Sequence, residues 1–176
     1  MKSIKNIALA GFLTLSAVVA VVYSSCTKDD CKDVVCQNGG TCVSGKCQCP
    51  TGYEGTNCET LSRAKFLKNG STATYLTAVG QDSCFMGGSY TMTVNAGTNA
   101  NQITISNFAG YGSSATLSNL VVSGNNFTQT DTVTAGTVKI YAVSGSMNTA
   151  GTLISFVYTA KDATTTTTCH ATSTKQ

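Results

Sequence analysis

Between Cys31 and Cys58 six cysteines fall within 28 residues, spaced C-x4-C-x5-C-x4-C-x-C-x8-C. The only sizeable apolar side chains among them are Val34, Val35, Val43 and Tyr53. Four such side chains cannot make a hydrophobic core, so this segment folds only if cross-links remove entropy from its unfolded state. Six cysteines allow fifteen pairings, and spacing alone does not choose among them. Zinc is a poor competitor, because the segment has no CxxC pair and the chain's single histidine is His170. Nine cysteines in 176 residues, with 11% of residues charged, place the chain in an oxidising compartment, since glutathione keeps such thiols reduced in the cytosol.

The first residues carry an address. Lys2 and Lys5 precede an apolar run from Ile7 to Val22, 16 residues long, which reads as the hydrophobic region of a signal peptide. The run is shorter than the roughly 18 to 20 residues that span a hydrocarbon core, so a retained transmembrane anchor is the lesser alternative. Tyr23-Ser24-Ser25-Cys26 resembles a relaxed lipobox, in which the cysteine is diacylated and the preceding peptide removed. Parity agrees: without Cys26, eight cysteines remain to pair. The competing reading makes Cys26 an ordinary cysteine near a cleavage site. Lys28-Asp29-Asp30 resembles the signal that sends Bacteroidetes-type lipoproteins to the outer face of the outer membrane. It implies a lipid-anchored, cell-surface-exposed protein, whose partners are a membrane at one end and an extracellular protein or glycan at the other. With a net charge of +3 owed mostly to the leader, and no basic cluster, nucleic acid is excluded as the default partner.

Cys36-Gln37-Asn38-Gly39-Gly40-Thr41-Cys42 and Cys49-Pro50-Thr51-Gly52-Tyr53-Glu54-Gly55-Thr56-Asn57-Cys58 resemble the two signature stretches of an EGF-like domain. The resemblance implies a small β-hairpin with Cys31 joined to Cys42, Cys36 to Cys47 and Cys49 to Cys58. Some EGF-like domains hold calcium near the first cysteine, and Asp29 and Asp30 are the hard-oxygen candidates. Thr27 stands where the calcium-binding version has an acid or amide, and Val43-Ser44-Gly45-Lys46 lacks its Asn or Asp. Both departures argue against a tight site, so no metal or other cofactor is assigned.

Thr, Ser and Asn supply 45 of the 116 residues from 61 to 176, and nine are charged. That composition favours strands and turns. Tyr90 to Val94 and Gln102 to Ser106 alternate apolar with polar residues at period two, as half-buried strands do. Val138, Ile140 and Ala142 make another inward row, as do Ile154, Phe156 and Tyr158, while Leu153 and Val157 suggest a last strand covered on both faces. Glycine-rich turn signals at regular intervals complete the pattern of an up-and-down meander. The fold class is therefore mainly β: a disulfide-rich module, then an antiparallel barrel or sandwich of about seven to eight strands, with closure favoured because it removes exposed edges. Cys84 and Cys169 should join. Thr164 to Thr168 reads as a polar edge or loop. The expected organisation is a signal peptide at 1–25, an acylated cysteine and export linker at 26–30, the EGF-like module at 31–59 and the β-domain at 60–176. The placement of Cys84, of Asn107-Phe108-Ala109 after an Ile-Thr-Ile strand, and of a Tyr-Thr-Ala-Lys-Asp end before Cys169 resembles small uncharacterised domains of Bacteroidetes lipoproteins, an architecture without an activity.

Catalytic chemistry has few parts to work with. His170 sits beside Cys169 and reads as structural, and Asp82, Asp131 and Asp162 are the β-domain's only acids. No phosphate loop or dinucleotide fingerprint occurs. The sequence therefore points away from an enzyme. Asp131-Thr132-Val133 resembles the sequence at which Bacteroidetes species O-glycosylate exported proteins, making Thr132 a candidate sugar acceptor. Tyr111, between Gly110 and Gly112, is the candidate binding aromatic, with core packing as its alternative. Two functions fit: a surface binding or adhesion module, or a lipocalin-like carrier holding a small apolar ligand in its barrel.

Overall fold

The computed structural model describes residues 30–176. The first part is the disulfide module. Strands β1 (Thr41–Val43) and β2 (Lys46–Gln48) form a hairpin with Val43 opposite Lys46. Its two-residue turn, Ser44-Gly45, has positive φ at both positions, the backbone twist that matches right-handed strands. Cys31 is bonded to Cys42, Cys36 to Cys47 and Cys49 to Cys58. Within 31–58 only Gly52 and Cys58 are buried, so cross-links and a few backbone bonds, such as Gln37 N–H to Asn57 C=O at 2.8 Å, hold this part together.

The junction is built from backbone. Strand β3 (Tyr53–Glu54) pairs with β4 (Thr60–Leu61), the first residues of the second part. A 3-10 turn, Ser62–Phe66, follows and drives the Phe66 ring into the end of the barrel, where it is buried edge-on against Phe127. Gly52, at φ +96°, lies so close to Ala100 that a β-carbon would stand 2.9 Å from the Ala100 methyl, a placement open to glycine alone. The Ser62 amide donates to the Gly52 carbonyl, Lys65 forms an ion pair with Glu54 at 2.7 Å, and Arg63 Nη1 donates to the carbonyls of Gly97 and Asn99.

Nine strands complete the chain: β5 (Thr72–Thr77), β6 (Tyr90–Ala96), β7 (Gln102–Ser106), β8 (Leu117–Ser123), β9 (Asn126–Gln129), β10 (Val133–Ala135), β11 (Val138–Met147), β12 (Leu153–Lys161) and β13 (Thr166–Lys175). All pairings are antiparallel, and β9 pairs with β11 as well as β8, which closes an eight-stranded barrel; β10 continues the line of β9 along β11. Period-two alternation puts one row inside. Tyr75, Met92, Ile103, Ile105, Leu117, Leu120, Phe127, Ile140, Phe156 and Tyr158 fill the lumen, joined by Phe108 from the β7–β8 loop. Gly145 is needed in the wall because the Phe127 ring occupies the space a β-carbon would take. Cys84, in the β5–β6 loop, is bonded to Cys169 on β13. At the end facing the module, Lys175 donates to the carbonyls of Lys65 and Leu67, tying the last strand to the plug.

Three local expectations change. Val138 and Ile140 point inward, but Ala142 is exposed at φ +53°, where the β11–β12 register shifts, and Val143 takes the inward place. The bulge inserts one residue and so flips the row. Thr166 to Thr168 belong to β13, because β12 offers them a paired edge from Thr159 to Lys161. Leu153 and Val157 are half-buried on the outer face of a strand with neighbours on both sides, so β12 is not the last strand, and lateral neighbours rather than a second layer cover them.

Candidate functional site

Because the disulfide module occupies one end of the barrel, the loops at the other end are the ones held farthest from it. They include the β5–β6 loop (78–89), the β7–β8 loop (107–116) and the β12–β13 turn (162–165). The anchor of the first is Asp82, 5% exposed. Its Oδ1 accepts the amides of Cys84 at 2.9 Å and Phe85 at 3.3 Å, its Oδ2 accepts the Tyr90 hydroxyl at 2.7 Å, and the Tyr158 hydroxyl lies 3.0 Å from both oxygens. A buried carboxylate is costly unless its lone pairs are met, and here both oxygens have donors. Burial, reinforced by the hydrogen bond to Asp82, pushes the Tyr90 phenol well above the usual tyrosine range; burial and then the Asp82 charge do the same to Tyr158.

This anchor fixes a loop that ends in the open. Phe85 packs edge-on against Tyr90 with centroids 4.9 Å apart, while the next residue, Met86, is 96% exposed and Val79 is 71% exposed. The β7–β8 loop is held beside it. Asn107, at φ +54°, donates through Nδ2 to the Thr91 carbonyl at 2.7 Å and accepts the Gly112 amide at 2.7 Å. A pocket of about 220 Å³ opens at this mouth, lined by Cys84, Tyr111, Val138, Ala160, Asp162 and Thr165. On the outer wall below it runs a broader groove of about 860 Å³, whose lining includes Gln81, Ser83, Ser144, Ser155, His170 and Thr172. His170 is exposed there; its backbone amide, not its ring, donates to Ser83 Oγ.

Comparison with known proteins reaches the first part of the chain. Residues 26–58 match the family model of the EGF-like domain. The chain carries an EGF-like domain. Fibropellin-1 of Strongylocentrotus purpuratus is 43% identical over 49 residues, which are 26% of this chain and 4% of fibropellin-1. Protein lin-12 of Caenorhabditis elegans is 45% identical over 47 residues, 26% of this chain and 3% of its own length. The chain therefore spans a small fraction of these relatives. No solved structure matches it.

Around the EGF-like domain and the barrel, the residues singled out from sequence fall in different places. Cys26, Lys28 and Asp29 lie outside the described residues, and Asp30 is exposed at their edge. Thr132 is exposed in the bend between β9 and β10. Tyr111 is half-buried and packs against the core; burial and then the Asp82 charge raise its phenol. Beside it Gly110, at φ +75°, lies against the Phe85 ring. Sequence reading missed Asp82 as the anchor and Met86 as the tip. The polar ends of Tyr90 and Tyr158 in otherwise apolar rows were the available signal, because buried phenols require a partner.

Proposed function

We propose that the chain is a non-catalytic, surface-displayed lipoprotein acting as a binding or adhesion module for an extracellular protein or glycan. The observation that carries this is Met86, 96% exposed on a loop clamped by the Cys84–Cys169 disulfide and the buried Asp82, at the barrel end opposite the EGF-like domain. A loop whose backbone is already fixed on both sides of its apolar tip costs less to order on binding than a free one. The EGF-like domain supports an extracellular role, and its rigid junction makes it a spacer between anchor and tip. Acylated Cys26 would supply the anchor, about 0.8 kcal/mol per buried methylene; Lys28, Asp29 and Asp30 would direct display, and Thr132 would accept a sugar. Large side chains filling the lumen favour an outer surface over an internal ligand, which weighs against the lipocalin-like carrier.

Protease treatment of intact cells tests the display. Loss of the barrel epitope from unbroken cells, together with incorporation of an alkyne fatty acid that a Cys26→Ser protein lacks, is the expected result. Protection until the outer membrane is disrupted, or recovery of an unacylated chain from the medium, overturns it. Met86→Ser should then weaken adhesion of the displayed protein to an array of matrix proteins and glycans.

A further inference from the structure

The barrel's cations divide into two groups. At the EGF-like end every one is engaged: Arg63 with the carbonyls of Gly97 and Asn99, Lys65 with Glu54, Lys68 with the Gln176 carbonyl, and Lys175 with the carbonyls of Lys65 and Leu67. Lys139 and Lys161, at the far end, hold no hydrogen bond or ion pair among the described residues. They also stand directly opposite one another on β11 and β12. Like charges in that register, with β-carbons only about 5 Å apart, destabilise a sheet. The neighbouring acid forms no ion pair with either lysine among the described residues; the Asp162 carboxylate turns instead to the amides and hydroxyls of Thr164 and Thr165.

What surrounds the pair gives it a character. One outward row runs Thr134, Lys139, Lys161, Thr166 across β10 to β13, and the next holds Tyr141, Thr159 and Thr168. Tyr141 is half-buried but stands outside the core cluster, and its hydroxyl has no partner among the described residues. The wall therefore presents two ammonium groups without an ion-pair partner, a tyrosine ring and several threonine hydroxyls. We infer that this patch binds an acidic polysaccharide, with Lys139 and Lys161 meeting its carboxylate or sulfate groups and Tyr141 lying along a sugar face. The charge complementarity selects an anion. The ring and hydroxyls, polar and apolar at once, suit a sugar better than a lipid acyl chain. The assignment rests on the surface-binding reading above and gives it a ligand class and a place.

Affinity electrophoresis of the full chain in detergent, through gels containing heparin, hyaluronan or neutral dextran, tests it. The expected result is retardation by at least one of the two acidic polymers and none by dextran, weakening with added salt because exposed charges are screened. The double variant Lys139→Thr and Lys161→Thr should lose about two- to thirtyfold in affinity, as two exposed ion pairs lost together would. Tyr141→Thr should lose several-fold with the salt dependence unchanged. Relieving the lysine pair should leave the melting temperature equal or higher, which separates lost binding from lost folding. Undiminished retention of the double variant overturns the assignment, as does polyglutamate binding more tightly than either polysaccharide. A chain that ignores both polymers but binds matrix proteins refutes the patch and leaves the surface-binding reading standing; one that binds nothing refutes both.

Discussion

The EGF-like domain and the barrel meet the same entropic demand by opposite means. In the first, three disulfides close short loops while only Gly52 and Cys58 are buried; each bond contributes about 3 kcal/mol by constraining the unfolded chain. In the second, one disulfide joins residues 85 apart, and a continuous apolar lumen supplies most of the stability. The consequence is chemical. A domain with almost no core tolerates surface variation but depends on oxidation for its fold, whereas a filled barrel keeps its fold on reduction and is intolerant of lost volume.

Reduction should separate the two most sharply. With all disulfides reduced, residues 31–58 are expected to lose amide protection entirely, while the barrel keeps its strands with stability lower by about 4 kcal/mol. Hydrogen exchange read by mass spectrometry checks this. Barrel strands exchanging as fast as the EGF-like segment would break the comparison. Phe127→Ala applies the reverse stress. It removes a ring packed on Phe66 and Gly145 and should cost the barrel about 3–5 kcal/mol, measured by denaturant unfolding, with the three EGF-like disulfides still formed. Alkali attacks the same core. Tyr75, Tyr90 and Tyr158 have phenol pKa values raised by burial, so their contribution is complete below the unfolded value near 10. It is lost as pH rises toward the folded values, at about 1.4 kcal/mol per tyrosine per pH unit. Barrel unfolding and tyrosine ionisation, followed together by absorbance, should coincide.

How far the fold was legible follows the range of the forces. Cysteine spacing and period-two alternation are local, so the hairpin module and the inward rows around Met92, Ile103 and Phe156 could be read from the chain. Ala142 could not. Its bulge is set by where β9 and β10 break along β11, a register that no local pattern encodes. The Asp82 anchor joins residues 76 apart, and the Lys139–Lys161 pair exists only once β11 and β12 are aligned. Tyr111 was singled out for its flanking glycines, which do not tell whether the ring meets the core; it lies half-buried against it. Sequence therefore located the modules well and the surface chemistry poorly, because surfaces are assembled from distant rows.

The junction between the two parts is the next place to press. Gly52→Ala asks a non-glycine residue to hold φ +96° against Ala100, so the EGF-like end should detach from the barrel before either part unfolds. An expected penalty of about 1–3 kcal/mol falls on docking. Faster exchange of the Ser62 amide, whose acceptor is the Gly52 carbonyl, should report it while the barrel's melting temperature moves little. An unchanged Ser62 amide would show that the close approach of Gly52 to Ala100 does not hold the two parts together.

The smallest effect belongs to the far end. Asp162 is fully exposed, yet the amides of Thr164 and Thr165, then their hydroxyls, hold its pKa down to about 2. A depressed carboxylate stabilises its turn above the unfolded value, near 4. That contribution is lost as pH falls from there through about 2. Acid should therefore loosen the β12–β13 turn locally, while the EGF-like domain, held by bonds that do not titrate, stays fixed. Amide exchange of Thr164 and Thr165, corrected for intrinsic rates, should rise between pH 4 and 2 in the parent chain and be already fast and flat in Asp162→Ala. If the two proteins lose protection in parallel, the turn is opening with the whole barrel, and the acid sensitivity lies in the core instead of the loop.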